Sequence, residues 1–287
     1  MSVPAPLRMR PLEVGDLLDE TFRLYRRHFL LFGGISVLLA LPSAGLFGLA
    51  LGYMGSTLNR YSTGPTAPTQ PPDFSFLGPV FVGLGVAFLV NLLILPFSMG
   101  AVMYAASESA LGRPVTAGGI VRGVLHRYFS LLGYWALFYV SFVVAFVLCV
   151  VPLVLWTWVF VGWIVAVPAM FVENIGLGAA LARSWHLVKL RWWRTFLVLF
   201  LISIVWYVAG LALAAFVQLG QVLLLIVLSP FIAQAITTAV AQVVSALVTP
   251  IIQIALVLIY FDLRVRKEGL DLFQMAYQMA PPPPAPV

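Results

Sequence analysis

Six stretches of this chain, 29–54, 77–106, 131–151, 153–172, 196–217 and 236–261, contain no Asp, Glu, Lys or Arg. Each runs for about 20 residues or more, enough for a helix to cross a hydrocarbon layer of about 30 Å. Backbone N–H and C=O groups inside that layer must pair internally, which leaves only helix bundles and closed barrels. Barrel strands are short and alternate in polarity, about ten residues at a time. These stretches are instead apolar on every face and rich in Leu, Val and Ala. The barrel is therefore excluded, and an all-α integral membrane fold with six transmembrane helices is expected. Composition agrees, since only 9% of the 287 residues are charged against about 25% in soluble domains. The least determined segment is 218–235. Its apolar "VLLLIVLSPFI" (222–232) can extend the fifth span, turn at Ser229-Pro230, or form a re-entrant piece.

Where the cations fall sets the orientation. If the six spans alternate, fifteen of the sixteen Lys and Arg residues share one side, and Arg60 alone lies on the other, in "STLNRYSTGPTAPTQPPDF". The positive-inside rule then places both termini in the cytoplasm of a bacterial inner (plasma) membrane. A net charge of +6 raises the question of a nucleic-acid partner. The basic residues, however, line one membrane face beside Trp and Tyr, the pattern of interfacial anchoring, so no nucleic acid is expected. The first 28 residues lack the apolar core and cleavage site of a signal peptide, and the first span is read as the insertion signal. Cys149, the single cysteine, falls within a span and reads as a small buried apolar residue. Residues 1–280 read as one polytopic domain. The proline run at 281–287 reads as a disordered tail, with docking to a proline-binding protein as the alternative.

A threefold pattern underlies the spans. "EVGDLLDETFRLYRRHF" (13–29) sets Val14, Leu17, Leu18, Thr21, Phe22 and Tyr25 at helical spacing, with charged residues opposite. "TAGGIVRGVLHRYF" (116–129), with Thr116 as a possible cap, precedes the third span. "ENIGLGAALARSWHLVKLRWWRTF" (173–196) precedes the fifth, with Leu177, Leu181, Trp185, Val188 and Trp192 on one arc and Leu187 and Leu190 interrupting the polar side. Each piece ends in a basic and aromatic cluster: RRHF, HRYF or RWWRTF. The expected unit is a cytoplasmic interfacial amphipathic helix plus a two-span hairpin, present three times as pseudo-repeats near 11–106, 115–172 and 176–262. Glu108, Glu173 and Asp262 stand near the cytoplasmic ends of spans 2, 4 and 6, where a carboxylate opposes the helix dipole unless it is compensated. Pairing with arginines of the interfacial helices is one reading, and solvated carboxylates the other.

Motifs of catalysis are absent. The sequence has no HExxH and no phosphate-binding GxxxxGK[ST], and "PFSMG" (96–100) has proline where a nucleophile elbow needs glycine. No catalytic residue and no cofactor are expected. His28, His126 and His186 end the three amphipathic pieces; repeat symmetry could gather them into a three-nitrogen metal site. No carboxylate or thiolate accompanies them at ligand spacing, and no metal is expected. A polar stripe marks span 6: Gln234, Thr238, Gln242, Ser245, Thr249 and Gln253 share one arc over about 28 Å of helix. Such groups avoid lipid, so the stripe is either interhelical hydrogen-bond glue or the wall of a hydrated path. Gly45, Gly48, Gly52 and Gly55 share one face of span 1 and permit close helix approach. Kinks are expected at Pro42, Pro96, Pro168 and Pro250.

With "RPLEVGDLLDETFRLYRRHF", "PAMFVENIGLGAALARSWHLVKLRWWRTF" and "IYFDLRVRKEGLDL", the chain resembles the bacterial glycerophosphoryl diester phosphodiesterase membrane domain family over nearly its whole length. In that family the label comes from fusion of some members to a soluble phosphodiesterase. That domain is not expected within these 287 residues, and no catalytic residues carry over. Glu173, Arg183, Ser184, Trp185 and Trp193 match the family's recurrent central motif. The resemblance implies no activity for the membrane part; the function expected from the basic, Trp-rich helices is a non-catalytic membrane protein that organises partners at the cytoplasmic leaflet: anionic lipids of the bilayer, or an unknown protein. Arg183, Lys189, Arg191, Arg194, Trp192 and Trp193 are the candidate headgroup contacts. The alternatives are a transporter or channel for a small neutral or amphipathic solute along the span 6 stripe, and a membrane enzyme acting on lipid headgroups.

Overall fold

Residues 13–63, 75, 77–148 and 150–269 are described by a computed structural model, and 92% of the structure is helical. The Pro-rich tail and Cys149 lie outside the described residues. Nine α-helices follow one another among the described residues: α1 (Val14–Arg27), α2 (Phe29–Thr63), α3 (Leu77–Ala110), α4 (Ala117–Val147), α5 (Val150–Trp163), α6 (Ala166–Val172), α7 (Leu177–Val188), α8 (Trp192–Val227) and α9 (Pro230–Glu268). Among the described residues, six helical segments are long and apolar enough to cross a membrane. They carry large apolar outer surfaces, including Leu30, Phe216, Ile226 and Val227 at 73–86% exposure. Such surfaces would drive aggregation in water and are the expected finish of a helix solvated by lipid. The protein is a multi-pass, all-α membrane protein.

The chain divides into two compact units. One comprises residues 1–27, 103–202 and 253–287, and the other 28–102 and 203–252. In the first unit, the last part of α9 is the best-covered element: every residue from Gln253 to Leu263 is buried. Helix α1 buries Leu17, Thr21, Leu24 and Tyr25, an i, i+4, i+7, i+8 stripe. That stripe is turned slightly from the face the periodicity suggests, with Leu24 inside and Val14, Leu18 and Phe22 only half-buried.

Two boundaries differ from the sequence expectation, each for a physical reason, and a third falls among the alternatives it left open. The 116–129 piece is not a separate helix. Thr116 caps it, accepting a hydrogen bond from the Gly119 N–H at 3.2 Å, and it continues unbroken through the third span as α4, about 46 Å long. The 173–196 piece flows into the fifth span through only a 3-10 turn, Lys189–Arg191. The 218–235 segment belongs to the flanking helices: α8 extends to Val227, the chain turns at Leu228-Ser229, and Pro230 opens α9, a first-turn position where its missing N–H costs nothing.

The fourth span is broken. Pro168 has no N–H to give the Ile164 carbonyl, and the chain turns at Ile164-Val165 between α5 and α6. Side chains from two neighbours cover the free carbonyls of the break. Ser184 of α7 donates to the Gly162 carbonyl at 2.7 Å, and Tyr134 of α4 donates to the Trp163 carbonyl at 3.4 Å. At Pro42, Pro96 and Pro250, by contrast, the helix runs through.

In the second unit, glycines set the closest helix approach. A Cβ on Gly48 would stand 2.7 Å from the Ala235 carbonyl oxygen, and one on Gly52 2.8 Å from that of Phe231. Helices α2 and α9 therefore meet backbone to backbone along the Gly48-xxx-Gly52 seam, the close approach that small residues permit in lipid. Gly45 meets nothing within 4 Å.

Candidate functional site

The densest polar chemistry lies in the first unit, where α6, α7 and α9 end. Glu173 caps the C-terminus of α6, where its charge opposes the helix dipole. Arg183 of α7 compensates it, its Nε donating to both carboxylate oxygens at 2.8 and 2.9 Å. The Nη2 of Arg183 reaches Glu268, and Glu268 accepts from the Nε of Arg264 at 2.9 Å. Arg264 donates to the Tyr260 hydroxyl at 3.3 Å, and that hydroxyl donates to Glu173 at 2.8 Å. The contacts close a five-membered ring of side chains, Glu173, Arg183, Glu268, Arg264 and Tyr260. Two carboxylates balance two guanidinium groups. The four charged side chains are only 20–28% exposed, so water screens the ring weakly.

A second cluster ties the start of α8 to the end of α9. The Asp262 side chain is fully buried and engages both Arg194 and Arg266. Charge-assisted contacts of this kind are the strong ones, and a carboxylate so buried depends on them. The third carboxylate behaves differently. Glu108 meets Arg113, from the connection after α3, at 3.3 Å, and Arg113 is well exposed. Arg127 of α4 adds a further tie, donating to the Ile175 carbonyl and the Asn174 side chain. Asn174 takes a positive φ of 54°, which asparagine tolerates better than most residues.

The 173–196 ribbon packs with a face turned from the one its large residues suggest, with Val188 common to both. Ala180, Ser184, Leu187 and Val188 are the buried residues of α7, about a quarter-turn from the Leu177, Leu181 and Trp185 arc. Small Ala180 and Ser184 bring α7 close to its neighbours, and Leu187 is core rather than an interruption of a polar side. Trp185 lies over Gly162, where an added Cβ would stand 2.3 Å from its ring, and packs edge-on to Trp158 at 4.8 Å. Trp192 donates its indole N–H to the Trp158 carbonyl at 3.0 Å. Of the six candidate headgroup residues, Arg183, Arg194 and Trp192 thus have protein partners. Lys189 and Trp193 are exposed, Trp193 by 77%, and Arg191 is half-buried.

The span 6 stripe is not one uniform wall. Gln234 accepts from Gln221 of α8 at 2.6 Å and donates to Thr238 at 3.3 Å. Thr249 donates back to the Ser245 carbonyl at 2.8 Å. Ser245 is exposed beside a groove of about 220 Å³ lined by Trp206, Tyr207, Val217 and Val248, and Gln242 is half-buried. Gln253 is buried, and its side-chain oxygen has no hydrogen-bond partner among the described residues. Among the described residues, no group of three or more His, Cys, Asp or Glu side chains is placed to hold a metal ion. His28 packs edge-on to Phe32, while His126 and His186 are exposed.

Tyr260, Arg264 and Glu268 are ring members that sequence reasoning missed. Their signal is present: they recur every four residues, as do Asp262 and Arg266, so two polar rows run along the end of α9. No family model, curated protein or solved structure matches the chain.

Proposed function

We propose that this protein is a non-catalytic module of the bacterial inner membrane that gathers anionic lipid or a protein partner at the cytoplasmic leaflet, with both termini in the cytoplasm. One observation carries the reading. The carboxylates at the ends of spans 2, 4 and 6 all have arginine partners, whereas Arg122 and Lys189 stay exposed close in sequence to exposed Phe129, Leu190 and Trp193. The outer surface of those helix ends is cationic and apolar at once. Lys and Arg near an anionic leaflet contribute about 1 kcal/mol each, and Trp favours headgroup depth.

Neutralising Arg122, Lys189, Arg191 and Lys267 together should lower the anionic share of the lipid that co-purifies with the protein, measured by lipid mass spectrometry. An unchanged share rejects the reading. A second reading, passage of a small neutral solute, is favoured by the unpartnered oxygen of Gln253. It requires solute flux into proteoliposomes that Gln253→Leu abolishes.

A further inference from the structure

At the C-terminal end of α7, Lys267 of α9 donates to the His186 carbonyl, where the helix dipole favours a cation. Lys189 follows His186 by three residues and is one turn further on, exposed, with no ion pair among the described residues. The positive charges of Arg183 and Lys189 act on the Lys267 ammonium against the opposing charge of the Glu268 carboxylate. Arg183 is already balanced by Glu173 and Glu268. Glu173 and Glu268 are matched by Arg183 and Arg264, so the two lysines leave the cluster two positive charges in excess, and an ammonium has three N–H donors, of which the carbonyl takes one. That surplus favours an anionic partner at this end of α7.

The surroundings define which anion. Leu190 follows Lys189 at 80% exposure and Trp193 lies three residues further at 77%. A free anion in water has no use for these apolar side chains, whereas a phospholipid presents a phosphate and an acyl chain side by side. We infer that Lys189 and Lys267, with the exposed His186 imidazole beside them, form a discrete site for the phosphate of an anionic phospholipid, whose first acyl segment lies against Leu190 and Trp193. The inference rests on the lipid-gathering reading above and narrows it from a general basic surface to one pair of lysines. Lysine suits the role, because its compact ammonium meets a phosphate as a point charge from several directions.

The test uses the full-length protein in nanodiscs of mixed phosphatidylglycerol and phosphatidylcholine, with retained lipid counted by native mass spectrometry. Lys189→Gln/Lys267→Gln should reduce phosphatidylglycerol retention about tenfold relative to phosphatidylcholine. Lys189→Arg/Lys267→Arg should restore most of it. Lys189→Gln alone, at an exposed position, should give part of the loss without affecting folding. Millimolar inorganic phosphate should leave the bound lipid in place. Unchanged retention in the double variant overturns the site, as does displacement of the lipid by inorganic phosphate, which would mark a free-phosphate site. If Arg122→Gln/Arg191→Gln lowers retention while the lysine pair does not, this site fails and the general reading stands. If no variant changes retention, both fail.

Discussion

Gly162 shows how much one absent methyl group decides in this protein. The Trp185 ring occupies the space a Cβ would need, and the Gly162 carbonyl receives the Ser184 hydroxyl. Gly162→Ala should therefore cost about 1–3 kcal/mol, the usual range for overpacking, read as a lower unfolding temperature in detergent. Gly178→Ala, on the open side of α7, should leave that temperature unchanged or raise it. Glu173 makes the complementary case for charge. Removing one partner of a fully buried pair costs about 3–5 kcal/mol and of an exposed pair about 0–1, and the ring at 20–28% exposure lies between. Glu173→Gln and Arg183→Gln should each destabilise by about 2 kcal/mol. A double-mutant cycle should return at least about 1 kcal/mol of coupling. Additive effects would show that the two side chains act independently.

At the scale of elements, small residues place the helices and large ones fill the remaining space. A close approach at Gly48 and Gly52 was legible in advance, because glycines at i, i+4 on a lipid-solvated helix have few other uses; that α9 is the partner was not. Gly52→Val should destabilise by about 1–3 kcal/mol; Gly45→Val, facing open space, should not. The unfolding temperatures of the two variants decide it. The packing of α7 was not legible. Its apolar residues cover more than half the circumference, so periodicity alone selects the bulky arc. Close approach to α5 and α6 instead selects the Ala180 and Ser184 face. The α5–α6 break was half legible: Pro168 announces it, but only the fold supplies Ser184 and Tyr134 to satisfy the carbonyls.

For the whole molecule, the strongest expectation concerns orientation. In a variant with Cys149→Ala, Gly178→Cys should resist a membrane-impermeant thiol reagent added to intact cells, while Leu58→Cys should react. The reverse labelling would invert the topology and remove the basis of the lipid reading. Hydrophobicity and charge placement alone specified a six-span helical membrane protein, because an uncharged apolar run of this length has one way to satisfy its backbone in lipid and cations resist translocation. The carboxylates were also visible from sequence, at helix ends where a bare negative charge is unfavourable. Their particular partners were not. Arg183 and Glu173 are ten residues apart, but Arg194 and Asp262 are separated by 68. Which arginine reaches which carboxylate, and which lysines are left over, depends on how α7, α8 and α9 dock. That is set by contact between small side chains and backbone, for which helical periodicity carries no code.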